Sequence, residues 1–209
     1  MIAIRARAGL RVSLAAATLA LGLNLVAPVP PAAAAQDPTA LIQQIGTEGV
    51  AALQPNITVP QRLKVLGQLF RQDFDVRGIG TFAMGRYRVM ATPRERHEYF
   101  RLFDDFAVRA VSNKLDDYAG AAFRITGTRR NDDGQIIVSS QLARGATDPI
   151  SLEWSLQHKH GRYMVSDLKV GEVSMRVALR DQFASWIESN GGRFSALLAV
   201  LRQMNTQLH

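Results

Sequence analysis

A change of hydrophobic period near residue 122 restricts this chain more than any other feature. Between Thr92 and Tyr118 apolar residues recur every three or four positions: Tyr99, Phe103, Phe106, Ala107, Ala110, Val111, Leu115 and Tyr118. That spacing predicts a long helix with one wide apolar face, and Arg94, Arg101, Asp105, Arg109 and Asp116 fall opposite it. From Phe123 onward apolar and polar residues alternate. Phe123 and Ile125 alternate with Arg124 and Thr126, and Ile136, Val138 and Leu142 follow the turn Asn131-Asp132-Asp133-Gly134. Leu152, Trp154 and Leu156 alternate with Ser151, Glu153 and Ser155, and Tyr163, Val165, Leu168 and Val170 follow Lys159-His160-Gly161. Four strands joined by short polar turns predict an antiparallel meander with one apolar face and one wet face.

Helices flank this run of strands. Asp37 and Pro38 supply an N-cap and a first-turn proline for a helix to about Leu53. Pro60 opens a second, to about Arg71, and Asp75 to Met84 reads as a short third helix ended by Gly85. Thr92-Pro93-Arg94-Glu95 has the form of a capping box at the start of the long helix. After the strands, a helix from about Ser174 to Glu188 is broken at Asn190-Gly191-Gly192, and a last one runs from Phe194 to Gln207. Helices, then strands, then helices define an α+β chain: a curved four-stranded antiparallel sheet with helices packed on its apolar face. With no internal repeat, low-complexity tract or linker in it, residues 36–209 read as a single domain.

Residues 1–35 have a different character. Arg5, Arg7 and Arg11 precede an almost wholly apolar stretch from Leu14 to Ala27, and Ala32-Ala33-Ala34-Ala35 follows. This is the three-part pattern of a Sec-type signal peptide. The apolar stretch falls short of the roughly 20 residues a spanning helix needs. The arginines are not adjacent and no cysteine follows, which excludes twin-arginine and lipoprotein signals. Residues 36–209 are therefore expected in the periplasm. Without the three arginines the formal charge of +7 falls to +4. Such mild basicity suits work near anionic surfaces. Nucleic acid is not expected, since no basic run is interleaved with stacking aromatics.

No enzyme constellation emerges. The chain has no cysteine, which removes thiol chemistry and thiolate metal sites. His158 and His160 share a strand face at a hairpin tip but have no third ligand nearby, so no metal site is expected. Asp104-Asp105 and Asp116-Asp117 are helical neighbours pointing apart, unlike a glycosidase pair facing one cleft. There is no G-x-S-x-G elbow, and Gly78-Ile79-Gly80 lacks the strand and third glycine of a dinucleotide loop. What remains is inward-facing apolar surface, which periodicity alone reads as an ordinary core.

Three segments add a resemblance. Gly85-Arg86-Tyr87-Arg88 followed by Ala91-Thr92-Pro93 and an amphipathic helix resembles a segment of the Mla-type periplasmic phospholipid-binding proteins, the toluene-tolerance auxiliary family. Tyr163-Met164-Val165-Ser166-Asp167 into Gly171-Glu172-Val173-Ser174-Met175 is similar to a second segment, and Arg180-Asp181-Gln182-Phe183 with Asn190-Gly191-Gly192 to a third. The match spans roughly 37 to 205. Arg88 stands where tryptophan is common, Leu179 where many members carry tyrosine, and Gly171-Glu172 reverses the usual order. The hopanoid-associated exported proteins share the architecture.

The resemblance implies a pocket between sheet and helices that holds phospholipid tails, with the head group outside, and no cofactor. It implies a monomeric, non-enzymatic carrier moving lipid between an outer-membrane lipoprotein–porin complex and an inner-membrane ABC transporter with its membrane-anchored substrate-binding ring, and so maintaining outer-membrane lipid asymmetry. A carrier of hopanoid or another isoprenoid lipid, and a periplasmic interaction module without ligand, stay open beside it. The lipid-binding candidates are Phe82, Phe103, Phe106, Ala110, Phe123, Ile125, Val138, Leu152, Trp154 and Leu156, and the head-group candidates are Arg86 and Tyr87.

Overall fold

The computed structural model describes residues 37–115, 118–145 and 148–207. The expected signal peptide, Asp116-Asp117 and His209 lie outside the described residues. Six helices frame one sheet: α1 (Pro38–Ala51), α2 (Val59–Asp73), α3 (Val76–Ala83), α4 (Pro93–Leu115), α5 (Met175–Ser189) and α6 (Phe194–Gln207). A 3-10 turn, Gly85–Val89, joins α3 to the approach of α4.

Local chemistry accounts for most of these starts. Asp37 accepts from the Thr39 amide at 2.9 Å, and Pro38 opens α1. Thr58 and Gln61 form a reciprocal capping box that starts α2 at Val59, one residue before the Pro60 that the sequence predicts. Asp75 caps α3 through the Gly78 amide at 3.0 Å, and Ser174 caps α5 through the Val177 amide. Thr92 and Glu95 form the expected box at α4, with the Glu95 carboxylate accepting from the Thr92 amide at 2.9 Å.

The sheet is an antiparallel meander in chain order, β1 (Ala122–Arg130), β2 (Ile136–Ala143), β3 (Ile150–Lys159), β4 (Arg162–Val170) and β5 (Val173–Ser174). The expected count of four strands is corrected to five. The two residues of β5 turn back on β4, pairing Val170 with Val173. Two residues are too few to show an alternating period, so the pattern did not reveal them. Register shifts interrupt the ladder between Ile125 and Gly127 and between Ser155 and Leu156, where bulges bend the strands.

One face of the sheet is dry. Ile136, Val138, Ser140 and Leu142 of β2 and Leu152, Trp154 and Leu156 of β3 are buried there. With Leu41, Ile42 and Ile45 of α1 and Leu66 and Leu69 of α2 they form a sheet-side cluster. A second, helix-side cluster joins α3, α4, α5 and α6 around Tyr99, Phe103, Phe183, Leu197 and Leu201, which are fully buried. Val111 does not join either one: it is 43% exposed, so the apolar stripe of α4 is narrower than its spacing suggested. On the wet face Glu153 of β3 pairs with Arg129 of β1 and Lys169 of β4.

Candidate functional site

The two apolar clusters meet at two rings from the end of α2. Phe70 and Phe74 are half-buried and pack against both. Their ring centroids lie 5.3 Å apart. Phe70 reaches Phe103 on the helix side at 6.5 Å, and Phe74 reaches Trp154 on the sheet side at 6.4 Å. Trp154 in turn meets Phe123 of β1 edge-on at 6.3 Å. A run of tilted and edge-to-face rings therefore joins sheet to helices, in the geometry aromatic pairs favour.

The sequence candidates fall on both sides of this seam. Phe123, Ile125, Val138, Leu152, Trp154 and Leu156 belong to the sheet-side cluster or pack against it. Phe103, Phe106 and Ala110 belong with the helix-side cluster. Phe106 meets Phe183 and Trp186 of α5 at 5.8 and 5.9 Å. Phe103, Val138 and Leu156 have no exposed surface, so protein atoms close them off on every side. Phe70 and Phe74 are not among the candidates that the sequence supplies. Their spacing of four was the available signal, but Asp73 and Asp75 flank Phe74 and masked the stripe.

Phe82 sits elsewhere, in a solvent-open cleft of about 670 Å³ lined by α3, the 3-10 turn, the end of β3 and α5. Arg86 lines the same cleft, whereas Tyr87 is buried in the helix-side cluster. The Arg86 guanidinium is held by the Glu188 carboxylate and donates to the Tyr87 hydroxyl at 2.9 Å; that hydroxyl donates to Glu188 at 2.8 Å. These contacts hold the Arg86 pKa above its usual value, the hydrogen bond to Tyr87 first among the causes. A second cleft, of about 360 Å³, is lined by Arg71, Arg77, Arg101, Phe100, Asp104 and Asp105, among others, so that carboxylates sit among its cations and Arg71 pairs with Asp104 at 3.1 Å.

Among the described residues no three His, Asp or Glu side chains gather as metal ligands, and no helix is long and apolar enough to cross a membrane. The buried polar groups serve the scaffold. Asp75 accepts from the Gly78 amide, from Gln157 at 2.8 Å and from Lys159 at 2.7 Å, tying α3 to β3. Asp167 accepts from the Arg176 amide and the Ser174 hydroxyl, tying β4 to α5.

Comparison with known proteins agrees with this architecture. Residues 49–203 match the family described as MlaC protein. A solved structure of a phospholipid-binding protein from Ralstonia solanacearum, in complex with a phospholipid, superposes with a TM-score of 0.67 at 21% identity, covering 83% of this chain and 99% of that one. At that identity the likeness shows a shared fold.

Proposed function

Because this chain belongs to the MlaC family, we propose that it is a non-enzymatic carrier of phospholipid, holding the acyl tails between the sheet and the helices with the head group outside. The observation that carries this reading is the seam at Phe70 and Phe74, where the two apolar clusters meet through aromatic rings beside a main-chain bridge from Phe74 to Val165 of β4. The Asp75 amide, which donates to the Val165 carbonyl at 2.9 Å, pins the end of α2 to β4, so a lipid would enter by parting the rings around that anchor, with apolar walls on both sides. The solved relative with this fold binds a phospholipid, which supports the same cargo here.

The energetics fit a carrier. Moving two acyl chains of about 16 carbons from water into an apolar site gains about 0.8 kcal/mol per methylene, roughly 25 kcal/mol in all. That exceeds the practical ceiling for affinity, about 18–21 kcal/mol. A lipid leaving a bilayer gives up most of this gain, so a carrier needs an interior about as apolar as the bilayer and little more. Phe103, Val138, Trp154 and Leu156 supply such walls. Free lipid in water is costly, so loading and unloading require docking on membrane partners. We place the protein in the periplasm, between an outer-membrane lipoprotein–porin complex and an inner-membrane ABC transporter with its substrate-binding ring, in the service of outer-membrane lipid asymmetry.

Native mass spectrometry of protein purified from its periplasm tests the cargo. The expected result is a bound mass equal to a diacyl phospholipid. A hopanoid mass would replace phospholipid with an isoprenoid cargo, and folded protein that never takes up lipid from vesicles would overturn the carrier reading.

A further inference from the structure

The 670 Å³ cleft is lined by five cations and by no carboxylate: Arg77 from α3, Arg86 and Arg88 from the 3-10 turn, Lys159 from the end of β3 and Arg180 from α5. Three of these have acidic partners outside the lining. Lys159 is held by Asp75, Arg86 by Glu188, and Arg180 by its neighbour Asp181 at 2.9 Å. Arg77 and Arg88 have no carboxylate partner among the described residues, and Arg77 lies over the Phe100 ring at 4.6 Å. The cleft therefore carries about two unmatched positive charges in a concave space.

Its floor is equally specific. The Phe82 ring has guanidinium groups at 4.7 Å (Arg176) and 5.4 Å (Arg180). Stacking of this kind holds each guanidinium in plane beside the cleft, while Asp181 takes Arg180 and Asp167 takes Arg176, so the groups left to meet a ligand are Arg77 and Arg88. Gly85 keeps the wall low: its φ is +52°, and an added Cβ would sit 3.2 Å from Arg180.

We propose that this cleft binds a phosphate ester. Guanidinium forks match the paired oxygens of a phosphate better than they match any neutral group. The volume, about 670 Å³, lies within the roughly 300–1,000 Å³ of small-ligand sites. Phe82 is the apolar side chain of the lining, so a phosphate with an apolar appendage meets both charge and apolar surface. Two sources share this chemistry, a lipid head group and a free soluble phosphate ester; the first rests on the carrier reading above and the second does not.

The test has two arms. In the first, glycerophosphoglycerol, a head group without tails, is titrated into the intact protein at low ionic strength by calorimetry. Binding is expected, with affinity falling about tenfold or more in Arg88→Glu and Arg77→Glu and remaining unchanged in Arg96→Glu, which alters net charge equally on an exposed part of α4. Arg88→Gln serves as the milder variant should charge reversal disturb folding. No binding by the unaltered protein, or equal weakening in Arg96→Glu, overturns the proposal. In the second arm, the protein is loaded from vesicles of phosphatidylglycerol mixed with diacylglycerol, which has the same tails and no phosphate. A several-fold enrichment of the phospholipid that disappears in Arg88→Glu assigns the site to the head group. An unchanged ratio beside lost ester binding assigns it to a free ester. Ester binding without any lipid uptake sinks the carrier reading and leaves the cleft standing.

Discussion

The indole N–H of Trp154 donates to the Ser140 hydroxyl at 2.8 Å across the β2–β3 pair, with both residues buried. Ser140 is the one polar side chain among the inward residues of β2 named above, and Trp154 is the one inward ring of β3. Each supplies what the other lacks in an apolar surrounding. The bond fixes the angle at which the indole meets Phe74 and Phe123, and so shapes the sheet side of the seam.

Ser140→Ala leaves the indole N–H without its acceptor. The expected cost is about 1–3 kcal/mol of stability, the usual penalty for a buried unsatisfied donor. Urea denaturation measures it. Adding Trp154→Phe to Ser140→Ala should cost less than the sum of the two single changes, because the orphaned donor is then gone; strict additivity would show that the bond carries no energy.

Two glycines on α1 should respond with opposite signs. A Cβ at Gly46 would lie 2.2–2.4 Å from the Phe123 ring, so Gly46→Ala must displace that ring and should cost about 1–3 kcal/mol. Gly49 has nothing within 4 Å of a Cβ, so Gly49→Ala should stabilise by up to about 1 kcal/mol through helix propensity. Thermal midpoints moving in the same direction for both would refute the packing of β1 on α1.

The box at the start of α4 makes an acid-sensitive contribution. Hydrogen bonds from the Thr92 amide and hydroxyl hold the Glu95 carboxyl below its ordinary pKa. A depressed folded pKa stabilises above the unfolded value, and that stability is lost as pH falls through the folded one. Thr92→Ala should cost about 1 kcal/mol at neutral pH, and its loss of stability on acidification should be shallower than that of the unaltered protein.

Asp73 should behave in the opposite sense. Burial pushes its carboxyl up, the charge of Arg162 opposes this, and Glu48 adds to it. A raised folded pKa means the native state holds the proton longer, so stability falls as pH rises from the ordinary carboxylate range through the raised value. Asp73→Asn should remove that fall. Denaturation midpoints compared on either side of this window check it; a variant with an unaltered pH profile would argue against the buried carboxyl.

A phospholipid carrying a photoreactive group in its acyl chain should label peptides containing Phe70, Phe74 and Phe103, read by mass spectrometry of the digested protein. Labelling confined to Val89 and Met90 would place the tails at the surface and not between the clusters.

Much of the architecture was legible in the sequence because its causes are local. Periods of 3.6 and 2 are properties of neighbouring residues, so the helices, the meander of β1 to β4 and the capping box at Thr92 follow from short windows. β5 was missed because two residues carry no period, and Val111 was misplaced because spacing does not say how wide a face its neighbours cover. The candidates on β1, β2 and β3 were recognisable as inward for the same local reason, yet inward does not distinguish a packed core from a wall that can part.

By itself the sequence determined the α+β order, the inward face of the strands and a family resemblance carried by short segments spread through the chain. Only the tertiary structure decided which inward residues meet at Phe70 and Phe74, why Gly46 must lack a side chain beneath Phe123, and that Arg77, Arg88, Lys159 and Arg180 share one cleft. Those relationships join residues far apart along the chain. They depend on how helices and sheet cross in space, which local periodicity does not encode.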